Sequence, residues 1–182
     1  MEVLDLLDIR DAIISVDAMN AQKKIAKKII ECQADYLFCI KDNHKTLKQE
    51  IHAYFHKIQL DITHLINVYQ ETDSGHGRIE IRHCQTLAID HWIMGLKEWE
   101  SVKTVILLER IREDKKTGKR EIEQHVYMSS LSNDAQEIAT LIRQHWGIEN
   151  KVHWLLDVVY REDNCRIRKG DDAENIAVMR RF

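Results

Sequence analysis

Proline is absent from this 182-residue chain and glycine occurs only 6 times, so the residues that usually form long flexible linkers are scarce. The 4 cysteines show no Cys-x-x-Cys spacing, which argues against a dense disulfide framework and favours reduced thiols in a cytoplasmic protein. No apolar run approaches the roughly 18–20 residues that span a bilayer. The N-terminal sequence MEVLDLLDIRD is acidic and lacks the basic region of a secretory signal. These absences predict a cytoplasmic protein without a membrane partner.

Neither sign of charge dominates, because 27 Lys and Arg residues balance 30 Asp and Glu residues for a formal net charge of -3. This balance argues against a nucleic-acid coat protein. It is compatible with a nucleic-acid enzyme, whose carboxylates hold metals while local basic clusters contact phosphates. The few glycines form no phosphate-binding loop, and no serine or cysteine nucleophile arrangement is evident. The length suits one domain, with or without an insertion.

The first third of the chain alternates between strand and helix patterns. Residues 12–16 (AIISV) and 36–40 (YLFCI) are short apolar runs, as in strands that are buried on both faces. Between them, residues 21–32 place isoleucines on one helical face and lysines on the other, with Asn20 positioned as the N-cap. A further helix is predicted at residues 44–58. This order predicts a βαβ unit with a parallel strand pair.

The middle of the chain has a period of two, which is typical of strands. Residues 77–89 alternate apolar and polar side chains, and residues 103–113 and 121–130 flank a charged, glycine-containing turn at 114–120. The middle is therefore predicted to be an antiparallel β-rich segment between two α/β parts.

The last helix carries a polar stripe beside its apolar face. It is predicted to start at Asn133, which has capping-box spacing with Gln136. Four polar residues then recur every four positions: His145, Glu149, His153 and Asp157. Such a stripe is either a solvated face or a helix that presents a catalytic or metal-binding carboxylate. Zinc held by His145, Glu149 and His153 is disfavoured, because the HExxH pattern is missing and these ligands spread over about 80° of the helix.

Asp17 immediately follows the first predicted strand, where functional groups of open α/β sheets gather. It is either a site carboxylate or an ordinary turn and capping residue. If it converges with Glu149, the oxygen ligands would suit Mg²⁺ or Mn²⁺, and paired ions roughly 3.5–4 Å apart can clamp both oxygens of a phosphodiester. A third carboxylate is then needed. It is either absent or one of Asp157, Glu162 and Asp163.

Basic residues cluster near the C-terminus, in the sequence RIRK. Alone, such a cluster is most often a solvated face. Beside a metal-carboxylate site, it would contact DNA phosphates and position the DNA without reading its sequence. The residues predicted to contact DNA are His145, His153, Arg166, Arg168 and Lys169.

Five stretches of the sequence resemble a known family. They are SVDAMNAQKKIAKKI, DYLFCIKDN, SGHGRIEIR, YMSSL and IRQHWGIENKVHWLLDVVYREDNCRIRKGDDAENIAVMRR. In this order they closely resemble the H-repeat-associated transposases, which belong to the ISAs-type insertion-sequence enzymes. The resemblance covers almost the whole chain.

The resemblance implies an α/β fold with an RNase H-like DDE transposase core, incomplete here, and a β-rich insertion before the final catalytic helix. It divides the chain into a partial core at residues 1–62, the insertion at 63–130, and a catalytic helix with a basic segment at 131–182. By motif, Asp17 matches the second catalytic aspartate and Glu149 the glutamate. It further implies a metal-dependent DNA transposase that cuts transposon ends and joins them to target DNA in DNA recombination.

The sequence also departs from the family pattern. His145 stands in the place of an arginine in the related Tyr-x2-Arg-x3-Glu-x6-Lys signature, and Ile142 and Leu156 replace its tyrosine and lysine. Residues 41–44 read KDNH where Lys-Gly-Asn-Gln is more usual. The family's first catalytic aspartate lies on an earlier strand, ahead of the residues present. The chain is therefore expected to be a truncated transposase, inactive alone, with an exposed central strand edge.

Three functional hypotheses follow. The first is a transposase remnant that holds two of three metal ligands. The second is a non-catalytic module that binds DNA, a second copy or a full-length transposase through strand edges. The third is a different, complete nuclease, in which Asp163 joins Asp17 and Glu149.

Overall fold

The computed structural model describes residues 4, 6–61, 65–75, 77–89 and 93–148. The chain divides into two compact units, residues 1–139 and residues 140–182. The described residues form a mixed α/β structure with one six-stranded sheet and three α-helices. None of these helices is long and apolar enough to cross a membrane.

The predicted strand-helix-strand unit is present. Strand β1 (Ile13–Val16), helix α1 (Lys23–Glu31) and strand β2 (Asp35–Ile40) follow one another, and β1 pairs with β2 in parallel. The predicted N-cap at Asn20 is wrong, because Asn20 ends a separate one-turn 3-10 helix. Its N–H bonds the carbonyl of Asp17, and the chain is extended again before α1 begins.

The β-rich segment is an antiparallel meander that continues the same sheet. After helix α2 (Lys45–Asp61), the chain forms strands in the following order: β3 (Asn67–Gly75), β4 (Arg78–Ala88), β5 (Thr104–Asp114) and β6 (Arg120–Ser129). The strand order in the sheet is β1-β2-β6-β5-β4-β3, so the last strand of the meander pairs with β2. Among the described residues, β1 is an edge strand with β2 as its one neighbour.

The main hydrophobic core lies on one face of the sheet, under α1 and α2. The helices contribute Ala26, Ile29, Leu47, Ile51, Phe55 and Ile58 to this core. The strands contribute alternate residues, which share a face because strand side chains have a period of two. They are Tyr36, Phe38, Ile40, Leu87, Val105, Leu107, Val126 and Met128. Trp99, from the connection before β5, completes the core and is 5% exposed.

The side chains on the opposite face of the sheet change from apolar to charged along the meander. Near β2 its side chains are apolar and buried: Leu37, Cys39, Cys84, Ile106, Leu108 and Tyr127. Farther along, the register aligns two rows of charged residues across β3 to β6. One row is Glu71, Arg82, Arg110 and Glu123, and the other is Asp73, Glu80, Arg112 and Glu121. These two charged rows pair acids with arginines, since Arg82 contacts Glu71, Asp73 and Glu80.

Helix α3 (Ala135–Ile148) begins two residues later than Asn133. The predicted capping box at Asn133 is wrong by one position, because Asp134 caps the helix. Its Oδ1 atom accepts hydrogen bonds from the N–H groups of Gln136 and Glu137, both at 2.9 Å. An aspartate at this position also carries negative charge to the positive end of the helix dipole.

Candidate functional site at the carboxyl ends of β1 and β2

Asp17 lies at the carboxyl end of β1, at the edge of the sheet where the sequence predicts a site. Since β1 and β2 are parallel and Val16 pairs with Phe38, the residues that follow both strands meet at this edge. Lys41 directly follows β2, so a cation and a carboxylate share the edge. Both residues are exposed. The arrangement leaves the Asp17 side chain accessible to solvent.

The structure does not use the Asp17 side chain as a cap. Asp17 occupies the N-cap position of the 3-10 turn Ala18–Asn20, with φ -66° and ψ 160°, yet its carboxylate makes no capping hydrogen bond there. The turn is closed by backbone bonds instead, from Asn20 N–H to Asp17 O at 2.9 Å and from Ala21 N–H to Ala18 O at 3.1 Å. The backbone of Asp17 therefore serves as an ordinary turn residue, whereas its carboxylate does not cap this turn.

The KDNH segment after β2 contacts the turn after Asp17. The Nδ2 group of Asn43 donates to the carbonyl of Ala18. The Nε2 atom of His44 lies 2.7 Å from the carbonyl of Ala21. Sequence reasoning noted this segment as a departure from a family motif but did not predict these contacts. The available signal was a cluster of polar residues placed directly after a buried parallel strand.

Cys39 is the next-to-last residue of β2 and is buried. Burial raises the pKa of its thiol to about 11, Lys41 opposes this shift, and the negative charge of Asp17 adds to it. The thiol is therefore protonated near neutral pH.

The site edge continues onto β6 through His125. Val126 pairs with Ile40, so His125 is the β6 residue next to the end of β2. Its side chain is 17% exposed and lies 3.6 Å from the Glu123 carboxylate. Burial lowers the pKa of His125, Arg110 and Lys41 lower it further, and Glu123 raises it. A largely buried imidazole thus lies on β6 next to the end of β2, which sequence reasoning did not anticipate.

Of the two predicted metal ligands, Asp17 lies among the described residues. No group of three or more His, Cys, Asp or Glu side chains within the described ranges could hold a metal ion. Asp42, the next acidic residue at this edge, forms an ion pair with Lys48 at 3.2 Å. An exposed carboxylate such as Asp17 has the oxygen chemistry that Mg²⁺ or Mn²⁺ prefers, but it is one ligand and not a complete site.

The other predicted site residues lie either in the second unit or outside the described part of the chain. His145 lies on α3 in the second unit, whereas Asp17 belongs to the first. The remaining predicted residues lie outside the described part of the chain: Glu149, His153, Arg166, Arg168 and Lys169. The alternative third carboxylates Asp157, Glu162 and Asp163 also lie outside it. Their roles remain predictions.

Comparison with known proteins decides the family. Residues 2–182 match the family model described as "Transposase DDE domain". The chain belongs to this transposase family. The resemblance to H-repeat-associated transposases, inferred from the sequence, is thereby confirmed. No solved structure matches this transposase chain.

Three curated relatives of this transposase chain come from Escherichia coli. The "Putative protein YbfL" of strain K12 is 39% identical over 182 residues, which cover 98% of this chain and 48% of the relative. The "H repeat-associated putative transposase YhhI" of the same strain is 38% identical over 182 residues, with coverage of 98% and 48%. The "Putative transposase YncI" of strain O157:H7 is 35% identical over 185 residues, with coverage of 100% and 47%. The chain therefore spans about half the length of these relatives.

Proposed function

We propose that this chain forms part of the RNase H-like catalytic core of a DDE transposase and supplies two carboxylates, Asp17 and Glu149, to its metal site. The observation that carries the proposal is the exposed Asp17 side chain at the carboxyl end of a parallel strand, in a chain that belongs to the transposase family. The proposed substrates are transposon-end and target DNA.

The position of Asp17 supports a ligand role on physical grounds. Parallel strands deliver the residues that follow them to one edge of the sheet, where a ligand can approach without crossing the core. Asp17 is held there by a closed turn, and its carboxylate is not used as the cap of that turn. Lys41 at the same edge would attract phosphate groups of DNA.

Mg²⁺ or Mn²⁺ in such a site would stabilise the charges on the attacking and leaving oxygens of a phosphodiester. Asp17 and Glu149 would hold the metal, and Arg166, Arg168, Lys169, His145 and His153 would contact DNA.

Metal titration tests the proposal. In NMR spectra of the chain, Mg²⁺ should cause saturable shifts of the Asp17 and Glu149 carboxylate signals and of the neighbouring backbone amides, and Mn²⁺ should broaden them. In the double variant Asp17→Ala/Glu149→Ala, which lacks both carboxylates but keeps a folded spectrum, neither ion should affect those backbone amides. A wild-type spectrum that does not respond to either ion would contradict the proposed metal site.

A second candidate function is a non-catalytic binding module, favoured by the position of β1 at the sheet edge among the described residues. Such a strand can pair with a strand of a second copy or of a full-length transposase. Salt-dependent DNA binding, or dimer formation, that does not change with Mg²⁺ and persists in Asp17→Ala would favour this function. Binding that requires Mg²⁺ and Asp17 would favour the metal-site proposal instead.

A further inference from the structure

We propose that Asn43 and His44 are positioning residues, which hold the backbone turn that carries Asp17. The inference rests on the proposed function for the role of Asp17 as a metal ligand, while the contacts that define it are independent of that role. Its physical basis is a set of hydrogen bonds between the segment after β2 and the segment after β1.

The turn that carries Asp17 has little support of its own. It is a 3-10 helix of only three residues, and such single turns are short pieces with poor hydrogen-bond geometry. The strand before it, β1, has four residues and lies at the edge of the described sheet. The backbone turn that carries Asp17 therefore depends on contacts from outside this segment.

Asn43 supplies one of these contacts, and it uses both the nitrogen and the oxygen of its side-chain amide. The Nδ2 group donates to the carbonyl of Ala18, and the Oδ1 atom accepts a hydrogen bond from the N–H of Lys41 at 3.3 Å. Ala18 is buried and directly follows Asp17. One side chain thus ties the residue after Asp17 to the end of β2.

His44 supplies the second contact. A carbonyl oxygen can only accept, so the Nε2 atom that lies 2.7 Å from the Ala21 carbonyl must carry the proton. The other side of the imidazole packs edge-on against Trp99, with ring centroids 5.3 Å apart, and Trp99 packs against Phe38 at 6.3 Å. The buried core therefore fixes the ring that holds the end of the turn.

Together, the two side chains hold the turn at both ends, since Ala18 follows Asp17 and Ala21 follows Asn20. Each bond is made by a polar hydrogen that a substitution can remove without changing the core. His44→Phe keeps the aromatic contact with Trp99 and loses the donor. His44→Gln keeps a donor at a similar reach, and Asn43→Ala removes the amide. Asp42→Asn is the matched control, because the Asp42 side chain is 86% exposed and contacts Lys48 rather than the turn.

Hydrogen exchange of the backbone amides of Asn20 and Ala21, measured by NMR on the full 182-residue chain, tests the proposal. In Asn43→Ala and His44→Phe, both amides should exchange about tenfold faster, as expected when the turn loses one hydrogen bond. Exchange of the Val126 and Met128 amides should stay as in the wild type. His44→Gln and Asp42→Asn should exchange at the wild-type rate. Unchanged exchange at Asn20 and Ala21, or equal acceleration throughout the sheet, would overturn the proposal.

A Mn²⁺ titration of the same proteins separates this inference from the proposed function. If Asp17 is a metal ligand, saturable broadening of its amide signal should require a several-fold higher Mn²⁺ concentration in Asn43→Ala and His44→Phe, with recovery in His44→Gln. If the wild type binds no Mn²⁺, the ligand role of Asp17 fails. The exchange rates then still decide whether Asn43 and His44 hold the turn.

Discussion

The Oγ atom of Ser130 accepts a hydrogen bond from the buried backbone N–H of Tyr36 at 2.9 Å, although the two residues are 94 positions apart. The same hydroxyl donates to Oδ1 of Asp35 at 2.6 Å. Ser129 adds a bond from its hydroxyl to the Tyr36 carbonyl, also at 2.6 Å. Two consecutive serines thus join the end of β6 to the start of β2.

Replacement of Ser130 by alanine should lower the free energy of unfolding by about 1–2 kcal/mol, because the buried N–H of Tyr36 loses its acceptor. Urea unfolding measures the change. Ser132→Ala is the control and should have little effect, since Ser132 is exposed. Equal stabilities of the wild type and Ser130→Ala would show that water or another group replaces this acceptor.

Arg82 should be a second determinant of stability, because its guanidinium contacts three carboxylates: Glu71, Asp73 and Glu80. The Arg82 side chain is 21% exposed, so its removal leaves these like charges partly shielded from water. Arg82→Met should cost about 1–3 kcal/mol of unfolding free energy. The cost should shrink in about 1 M NaCl, which screens the repulsion.

Arg78 provides the matched control for Arg82, because it starts the same strand and is exposed. Arg78→Met should change the free energy of unfolding much less than Arg82→Met does. If both variants lost the same stability, or if salt did not reduce the loss in Arg82→Met, repulsion among the three carboxylates would not be the cause.

His125 should make the protein less stable in mild acid. Burial, together with the positive charges of Arg110 and Lys41, lowers its pKa in the folded state, and Glu123 offsets this only in part. The unfolded chain therefore takes up a proton on His125 at higher pH, near its ordinary pKa of about 6.5, than the folded protein does. The contribution of His125 to the free energy of unfolding is complete above that pH. It is lost as the pH falls toward the lower pKa that His125 has in the folded protein.

Urea unfolding of the wild type and His125→Gln at about pH 7.5 and about pH 5.5 checks this expectation. The loss of stability between the two conditions should be smaller in the variant. Burial also lowers the pKa of His52, so part of the loss should persist in both proteins. An identical loss in the two proteins would contradict the assignment to His125.

Gly95 should not tolerate a side chain. Its N–H donates to Oε2 of Glu50 at 3.0 Å, and an added Cβ would lie 3.0 Å from that oxygen and 3.2 Å from Cδ1 of Leu47. The Glu50 carboxylate would have to shift by a few tenths of an ångström, which strains its hydrogen bond with the Gly95 N–H. Gly95→Ala should therefore cost about 1 kcal/mol in thermal or urea unfolding. Gly75→Ala is the control, because no described atom lies within 4 Å of a Cβ there; a similar cost at both positions would refute the contact argument.

The sequence pattern predicted the strands and helices more accurately than it predicted which strands pair with each other. The apolar runs before Asp17 and Lys41 are strands, and they pair in parallel as predicted, because short β-branched runs separated by an amphipathic helix leave few alternatives. It did not predict that β6, rather than another strand, lies beside β2. Periodicity fixes which face a residue occupies, whereas pairing between distant strands depends on contacts such as those of Ser129 and Ser130 with Tyr36.

The candidate site was predictable to a similar extent. The position of Asp17 after a buried strand identified it, since the geometry of parallel sheets is general. The contacts of Asn43 and His44 with the carbonyls of Ala18 and Ala21 were not predictable, because backbone carbonyls carry no signal in the sequence. The pairing of acids with arginines in the two charged rows was not predictable either, because it depends on the strand register.

The pairing of β2 with β6 has a consequence for how the protein is made. A ribosome translates β2 long before β6, since Tyr36 and Ser130 are 94 positions apart in the sequence. Closing so long a loop is slow, so the edge of β2 that later pairs with β6 stays unpaired through much of synthesis. Unpaired strand edges of this kind are where nascent chains aggregate.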